Sequence, residues 1–366
     1  MSLVRHPRRV AAALTFALAA HGALPRTTTA QSAAPQSPPA PGAPKVTEQQ
    51  SHTTQLLQAV HAVDGRVVWA SGHGGVVLRT LDGGTTWERR PAPAGDSLEY
   101  RDVHALSADV AWILAAGNGA KSRIYRTTDG GATWMPQFVN ADTAAFYDCL
   151  SFLDRRTGVA VGDAVHGQTR ILRTTSAGQR WALVDSAFAP AALPSEGAFA
   201  SSGQCVVAAD ATTAYIAMGA PGARLLRSTD AGAHWNALPT PFVKGAVAGL
   251  TGLAFTSATR GIAVAADINR LRTDTSSAVV GVTDDGGQTW TLRPRPPLPG
   301  ALSGVAWVTD VAKELAVVVG FGGAFVTPDA GRSWLTLNNQ VFTGVAAFGR
   351  SAWIAGGNGR IIRLDW

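Results

Sequence analysis

The sequence predicts an all-β protein: a seven-bladed β-propeller of four-stranded antiparallel blades. Three observations predict it. A turn phrase ending in tryptophan recurs six times, with closing residues Trp87, Trp134, Trp181, Trp235, Trp290 and Trp334. Their spacings of 47, 47, 54, 55 and 44 residues match the length of one propeller blade. Between the phrases lie short apolar runs of strand length, and no long window carries a helical period.

The turn phrase comes first. Arg79-Thr80-Leu81-Asp82-Gly83-Gly84-Thr85-Thr86-Trp87 returns around Asp129, Asp230, Asp285 and Asp329, and in a degenerate copy with Ser176 in place of the aspartate. An aspartate here can accept backbone N–H groups across a tight turn. The second glycine supplies a positive φ that a side chain resists. The tryptophan then folds under the turn against the blade. Ser176 is a shorter acceptor, so the third turn is expected to be the loosest. Residues repeated around a ring cannot converge on one substrate, so these aspartates are read as structural.

The strands follow. In the second repeat, Arg101–Leu106 reads as inner strand A, Val110–Ala116 as B and Arg123–Thr127 as C, with Trp134 opening D. Strand B copies such as Val67-Val68-Trp69-Ala70 and Ala316-Val317-Val318-Val319 are apolar throughout, as expected between neighbouring blades. A seventh repeat, Val341–Arg363, has the A–B–C pattern without the turn phrase, and the sequence stops before a fourth strand. Residues around Val46–Ser51 are candidates to supply it, which would close the ring and remove its sheet edges. Six and eight blades are the alternative counts.

The domain reading is a signal peptide over 1–30, a Pro/Ala/Ser-rich linker over 31–52 that contributes the closing strand, and the propeller over 53–366. Arg5, Arg8 and Arg9 precede an apolar run, Val10–Ala20, too short to span a bilayer, with small residues at a cut after Ala30 or nearer Gly22. Arg8-Arg9 is a weak twin-arginine pattern. A periplasmic or secreted location follows, and an unprocessed anchor is the alternative. No later run is long and apolar enough for a membrane helix. Of the 31 basic residues, four lie in the first 30 positions, which hold no acid, so 27 remain against 25 acids. The near-neutral mature chain has no dense basic stripe, and nucleic-acid binding loses its support.

Catalytic and metal signatures are sparse. The chain lacks G-x-S-x-G, H-E-x-x-H and C-x-x-C. The histidines at 52, 61, 73, 104, 166 and 234 show no ligand spacing, so no metal or cofactor is expected. Cys149 and Cys205 occupy the same position of strand A in successive repeats. Equivalent positions turn the same way around a ring, so two buried free thiols are expected rather than a bridge.

The phrase S/T-x-D-x-G-x-T/S-W is the Asp-box pattern and resembles the bacterial neuraminidase repeat family. Over residues 53–366 the chain is similar to secreted propellers related to the photosystem II stability and assembly factor. WASGHGGVVLRTLDGGTTW, YRDVHAL, SRIYRTTDGGATW, AFYDCLSF and ARLLRSTDAGAHW carry that likeness. The resemblance implies a scaffold that binds a protein partner. Those factors use a basic face, which a mature charge near +2 does not supply. Sialidases share the Asp box but need an arginine triad and an Arg-Ile-Pro signature. Glu99-Tyr100-Arg101 is the only local cluster of the right types, and no such signature is present.

Propellers bind ligands at the face built by D–A and B–C loops, opposite the C–D turns. The polar residues expected on that face are Tyr147 and Asp148 at the start of strand A in the third repeat, Asp163 and His166 in its B–C loop, Glu196 before strand A of the fourth, and Asp267, Asn269 and Arg270 in the B–C loop of the fifth. Four carboxylates on three consecutive blades can converge, and close carboxylates raise one another's pKa. The expected function is a monomeric, exported, non-enzymatic propeller that binds a protein partner of the cell envelope, or a glycan, through this face. A glycoside hydrolase using those carboxylates is the alternative.

Overall fold

The computed structural model describes residues 42–366; the expected signal peptide and the first half of the linker lie outside them. Seven four-stranded antiparallel sheets are arranged as blades, each running A–B–C–D from the centre outward. The innermost strands are Leu57–Ala62, Glu99–Ala105, Tyr147–Phe152, Val206–Ala208, Ala248–Phe255, Leu302–Trp307 and Phe342–Phe348. Each packs against the next, and the seventh packs against the first, so the ring is closed. The only helices among the described residues are five single 3₁₀ turns.

Blade 7 takes its outer strand from the opposite end of the chain. Lys45–Gln49 pairs antiparallel with strand C, Ile361–Asp365, from Lys45 opposite Asp365 to Gln49 opposite Ile361. Gln49 then ties blade 7 to blade 1: its Nε2 donates to the Gly83 carbonyl at 2.9 Å, and its Oε1 accepts from Trp87 Nε1 at 3.1 Å.

Burial follows position in the blade. Strands B are buried from end to end in blades 1, 2, 6 and 7. Strands D are largely exposed. Trp69, Trp112 and Trp353, all on strand B, are fully buried between blades, and truncating any one of them to alanine would cost about 3–5 kcal/mol. Each carries an arginine of strand C over its ring, Arg79, Arg126 and Arg363, at 5.3 to 5.7 Å.

The six C–D turns share one hydrogen-bond pattern. In the first, Asp82 Oδ1 accepts from Thr86 N at 2.9 Å, Oδ2 accepts from the Thr86 hydroxyl at 2.7 Å, and Thr80 Oγ1 accepts from Gly84 N at 2.8 Å. The second glycine has positive φ in every copy, from 79° to 93°. The third copy keeps less of the network. Ser176 Oγ accepts from Arg180 N at 3.0 Å and shares a long 3.3 Å bond with Thr174 Oγ1, and the Gly178 N to Thr174 Oγ1 bond is the longest of its kind at 3.1 Å. A serine has one oxygen where aspartate has two.

Cys149 and Cys205 are joined in a disulfide, with Cα atoms 5.8 Å apart, which corrects the expectation of two free thiols. The positions are equivalent in their blades, as the sequence suggests. What decides the outcome is crowding at the axis. Inner strands approach so closely that the corresponding residues of blades 5, 6 and 7 are Gly252, Gly304 and Gly344. A Cβ on Gly344 would lie 2.9 Å from Gln58 O. A Cα separation of 5.8 Å puts the two sulfurs within bonding reach despite the common backbone orientation.

Candidate functional site

Six of the seven inner strands carry a β-bulge at the same place. The extra residues are Gln58, Arg101, Asp148, Thr251, Ser303 and Thr343. All are polar. A bulge re-aims one side chain out of the pleat, and here it supplies side chains to the channel and to the joints between inner strands.

In blades 5, 6 and 7 the bulge residue is a stitch to the next blade. Thr251 Oγ1 donates to Leu302 O at 2.8 Å, Ser303 Oγ to Phe342 O at 3.2 Å, and Thr343 Oγ1 to Leu57 O at 2.5 Å. Gln58 instead crosses the channel, and its Nε2 reaches Ala200 O at 3.1 Å and Ser201 O at 2.5 Å. Blades 2 and 3 break the pattern with charge, through Arg101 and Asp148.

Above this ring, on the face of the D–A and B–C loops, lies a cavity of about 830 Å³. Gln58, Arg101, Asp148, Ser201, Thr251 and Ser303 all line it. Asp163 and Glu196 join them from the loops, while Phe146, Phe199, Val247, Ile268 and Phe321 supply apolar wall. The size and the mixture of apolar wall with a few polar groups suit a small-molecule or peptide site.

The polar corner belongs to blades 2 and 3. Asp148 is 2% exposed, and its Oδ2 has no hydrogen-bond partner in the chain. Burial raises its pKa well above the carboxylate range, and repulsion from Asp163 raises it further; Arg101 and a hydrogen bond from Ala200 only partly oppose this. Burial likewise pushes Asp163 up to about 6. Arg101 does not neutralise the corner because Glu99 holds it, with Oε2 at 2.6 Å from Nη2 and 2.9 Å from Nε. His73 stands alongside, its Nε2 3.1 Å from Gln58 Oε1, and burial lowers its pKa.

Glu196 also faces the cavity, but its carboxylate is occupied. Arg224 donates to both oxygens, and Leu193 N adds a third bond at 3.2 Å. Its role is to hold the segment Ser195–Ser201 as a ledge over the channel. Gly197 makes the ledge possible, since a Cβ there would lie 2.2 Å from Asp163 Oδ1.

The remaining sequence candidates sit elsewhere. Tyr147 does not line the cavity and packs edge-on against Phe138 at 5.2 Å. His166 is exposed at the tip of the hairpin that extends strands B and C of blade 3, with φ 54°. Asp267 caps the 3₁₀ turn Ile268–Arg270 by accepting from Asn269 N at 3.0 Å, and Asn269 and Arg270 face solvent. Of that loop, Ile268 and Leu271 reach the cavity. Sequence reasoning does not single out Gln58 or His73 for this face, and it meets Arg101 only beside Glu99 and Tyr100. The signal for Gln58 and Arg101 was present: each follows a bulky residue at the start of strand A, as Asp148 follows Tyr147.

A second cavity of about 510 Å³ opens at the other end of the channel. His61 and His104 lie there with ring centroids 4.5 Å apart. Burial pushes His61 down to about 4 and His104 well below its usual value, so both rings are neutral at pH 7. Asp102 is buried against this second cavity and accepts from Leu150 N at 2.6 Å. Gln204 spans the channel to Val305 and Val345, closing it in the middle.

No family model matches the chain, and no curated protein does. Solved structures do. The chain is similar to YCF48, the photosystem II assembly factor, bound to a D1 peptide, with 15% identity and a TM-score of 0.61 over 89% of this chain and 97% of that one. It is similar to virginiamycin B lyase from Staphylococcus aureus with quinupristin, with 13% identity and a TM-score of 0.65 over 88% and 99%. A GH74 enzyme from Niastella koreensis matches with 15% identity and a TM-score of 0.62 over 85% of this chain and 52% of that one. At these identities the likeness is one of fold.

Proposed function

We propose that the chain is an exported Asp-box propeller that receives a segment of a protein partner in the 830 Å³ cavity at its D–A and B–C face, without chemistry. One observation carries this reading. The cavity joins an apolar wall to a charged corner at blades 2 and 3, and of the acidic residues lining it, Glu196 is already consumed by Arg224. A peptide side chain with an apolar neighbour fits such a space. The likeness to YCF48 in complex with a D1 peptide supports it as an analogy of fold.

The test is photo-crosslinking in the envelope fraction of the source cell. A photoreactive residue replacing Leu271, on the cavity rim, should yield one dominant protein adduct. The same residue at Leu335, on an outer strand, should not. Equal adducts from both positions would sink the reading.

Asp148 and Asp163, raised together, favour a second reading as a hydrolase of glycans. Turnover on a glycan panel that disappears in Asp163→Asn would establish it in place of the first.

A further inference from the structure

Five ionisable groups meet at the blade 2–3 corner: Glu99, Arg101, His73, Asp148 and Asp163. Arg101 is paired with Glu99, and His73 is uncharged at neutral pH. Glu196 and Arg224 cancel each other on the ledge above. What remains is two carboxylates in no ion pair, the Arg101 charge only partly offsetting that of Asp148. Asp163 is the more accessible, and Asp148 lies buried with one oxygen unpartnered. A buried carboxyl oxygen without a partner is costly. The chain supplies none, and Asp148 lines the cavity, where a ligand can supply one.

We propose that the Asp148–Asp163 corner recognises one cationic nitrogen group, an ammonium or a guanidinium, carried by an apolar segment that lies on Phe199, Val247, Ile268 and Phe321. The inference rests on the peptide-binding reading and names its specificity. Asp163 makes the more exposed contact through its carboxylate, and Asp148 offers its unpartnered Oδ2 as the second acceptor. Gly197 keeps the approach open, because any larger residue there would press on Asp163.

The cation replaces a proton. In the empty site both carboxyls hold protons to unusually high pH, and an arriving positive charge favours their ionised forms. Binding therefore releases protons and weakens as the solution becomes more acidic than about pH 6, where Asp163 titrates. Protonation of His73 at still lower pH acts in the same direction.

The test uses the intact protein and fluorescein-labelled, end-blocked pentapeptides of sequence Ala-Phe-X-Phe-Ala, read by anisotropy. X is lysine, arginine or norleucine, and a fourth peptide has norleucine at X with a free N-terminal amine. The lysine or arginine peptide should bind at least roughly tenfold tighter than blocked norleucine at pH 7.5, the effect of one charge-assisted hydrogen bond. Tight binding of the fourth peptide would assign the cation to a chain terminus instead of a side chain, which also supports the proposal. Affinity for the cationic peptide should fall from pH 7.5 to pH 5, while the norleucine peptide stays level. Asp163→Asn should remove the preference, with Asp148→Asn as the second variant should the first fail to fold.

Equal affinity for lysine and norleucine peptides would overturn the cation and leave peptide binding standing. Failure of all four peptides to bind the folded protein would overturn both.

Discussion

Arg224 grips both oxygens of Glu196, Nε to Oε1 at 2.7 Å and Nη2 to Oε2 at 2.5 Å, while the Glu196 side chain is wholly shielded from solvent. This pair anchors the ledge over the channel, and a buried pair of this kind is sensitive to loss of one member. Arg224→Met leaves a buried carboxylate unmatched and should destabilise the protein by about 3–5 kcal/mol. Glu196→Gln keeps a neutral acceptor and should cost less. Urea denaturation of both variants checks the order; a larger loss for Glu196→Gln would contradict it.

The Cys149–Cys205 bridge fixes the other end of the ledge across a sequence separation of 56 residues. By the chain-entropy argument a loop of that length is worth about 4 kcal/mol. A Cys149→Ser, Cys205→Ser double variant should unfold at correspondingly lower urea. An unchanged midpoint with and without reductant in the parent protein would show that the thiols are not joined.

The C–D turns predict an acid limb. Hydrogen bonds from the Thr86 backbone and hydroxyl hold Asp82 down at about 2, and those from the Thr133 hydroxyl and backbone do the same for Asp129. A depressed folded pKa adds stability that is present above the unfolded value of about 3.8 and is lost as pH falls through about 2. The melting temperature of the parent should therefore drop between pH 4 and pH 2. Asp82→Asn, Asp129→Asn should start lower at pH 5 and lose less on acidification. Parallel curves would refute the turn assignment.

Asp102 has the opposite sign. Burial pushes it up to about 8, against hydrogen bonds from Leu150 and Val103. An acid raised in the fold favours folding fully below its unfolded pKa, and that contribution is lost as pH rises towards the folded value. Asp102→Asn keeps an acceptor for Leu150 N and does not have to ionise. Its melting temperature should exceed that of the parent at pH 8, and the gap should shrink by pH 5. A constant gap would show that ionisation of Asp102 is not the cause.

Gln49 tests ring closure. Gln49→Ala removes its bonds to Gly83 and Trp87, and deletion of 42–49 exposes the edge of Ile361–Asp365. The point variant should cost about 1–2 kcal/mol. The deletion should produce concentration-dependent association through the open edge, measured by light scattering. A monodisperse deletion variant would rule out that role for the strand.

The sequence by itself determined the architecture. The recurring turn, the tryptophan that closes it and the apolar B strands are local patterns within one blade, and a repeat of about 50 residues multiplies them. It also marked Asp148 and Asp163, because both stand at loop ends where a propeller presents its face. Only the tertiary structure decided which polar residues are free. Glu196 and Arg224 are 28 residues apart, and Gln58 finds its partners 142 and 143 residues away. The cysteine bridge, the bulge ring and the unpartnered oxygen of Asp148 are likewise set by how closely strands of different blades meet at the axis. That distance depends on closure of the whole ring and is not written in any one repeat.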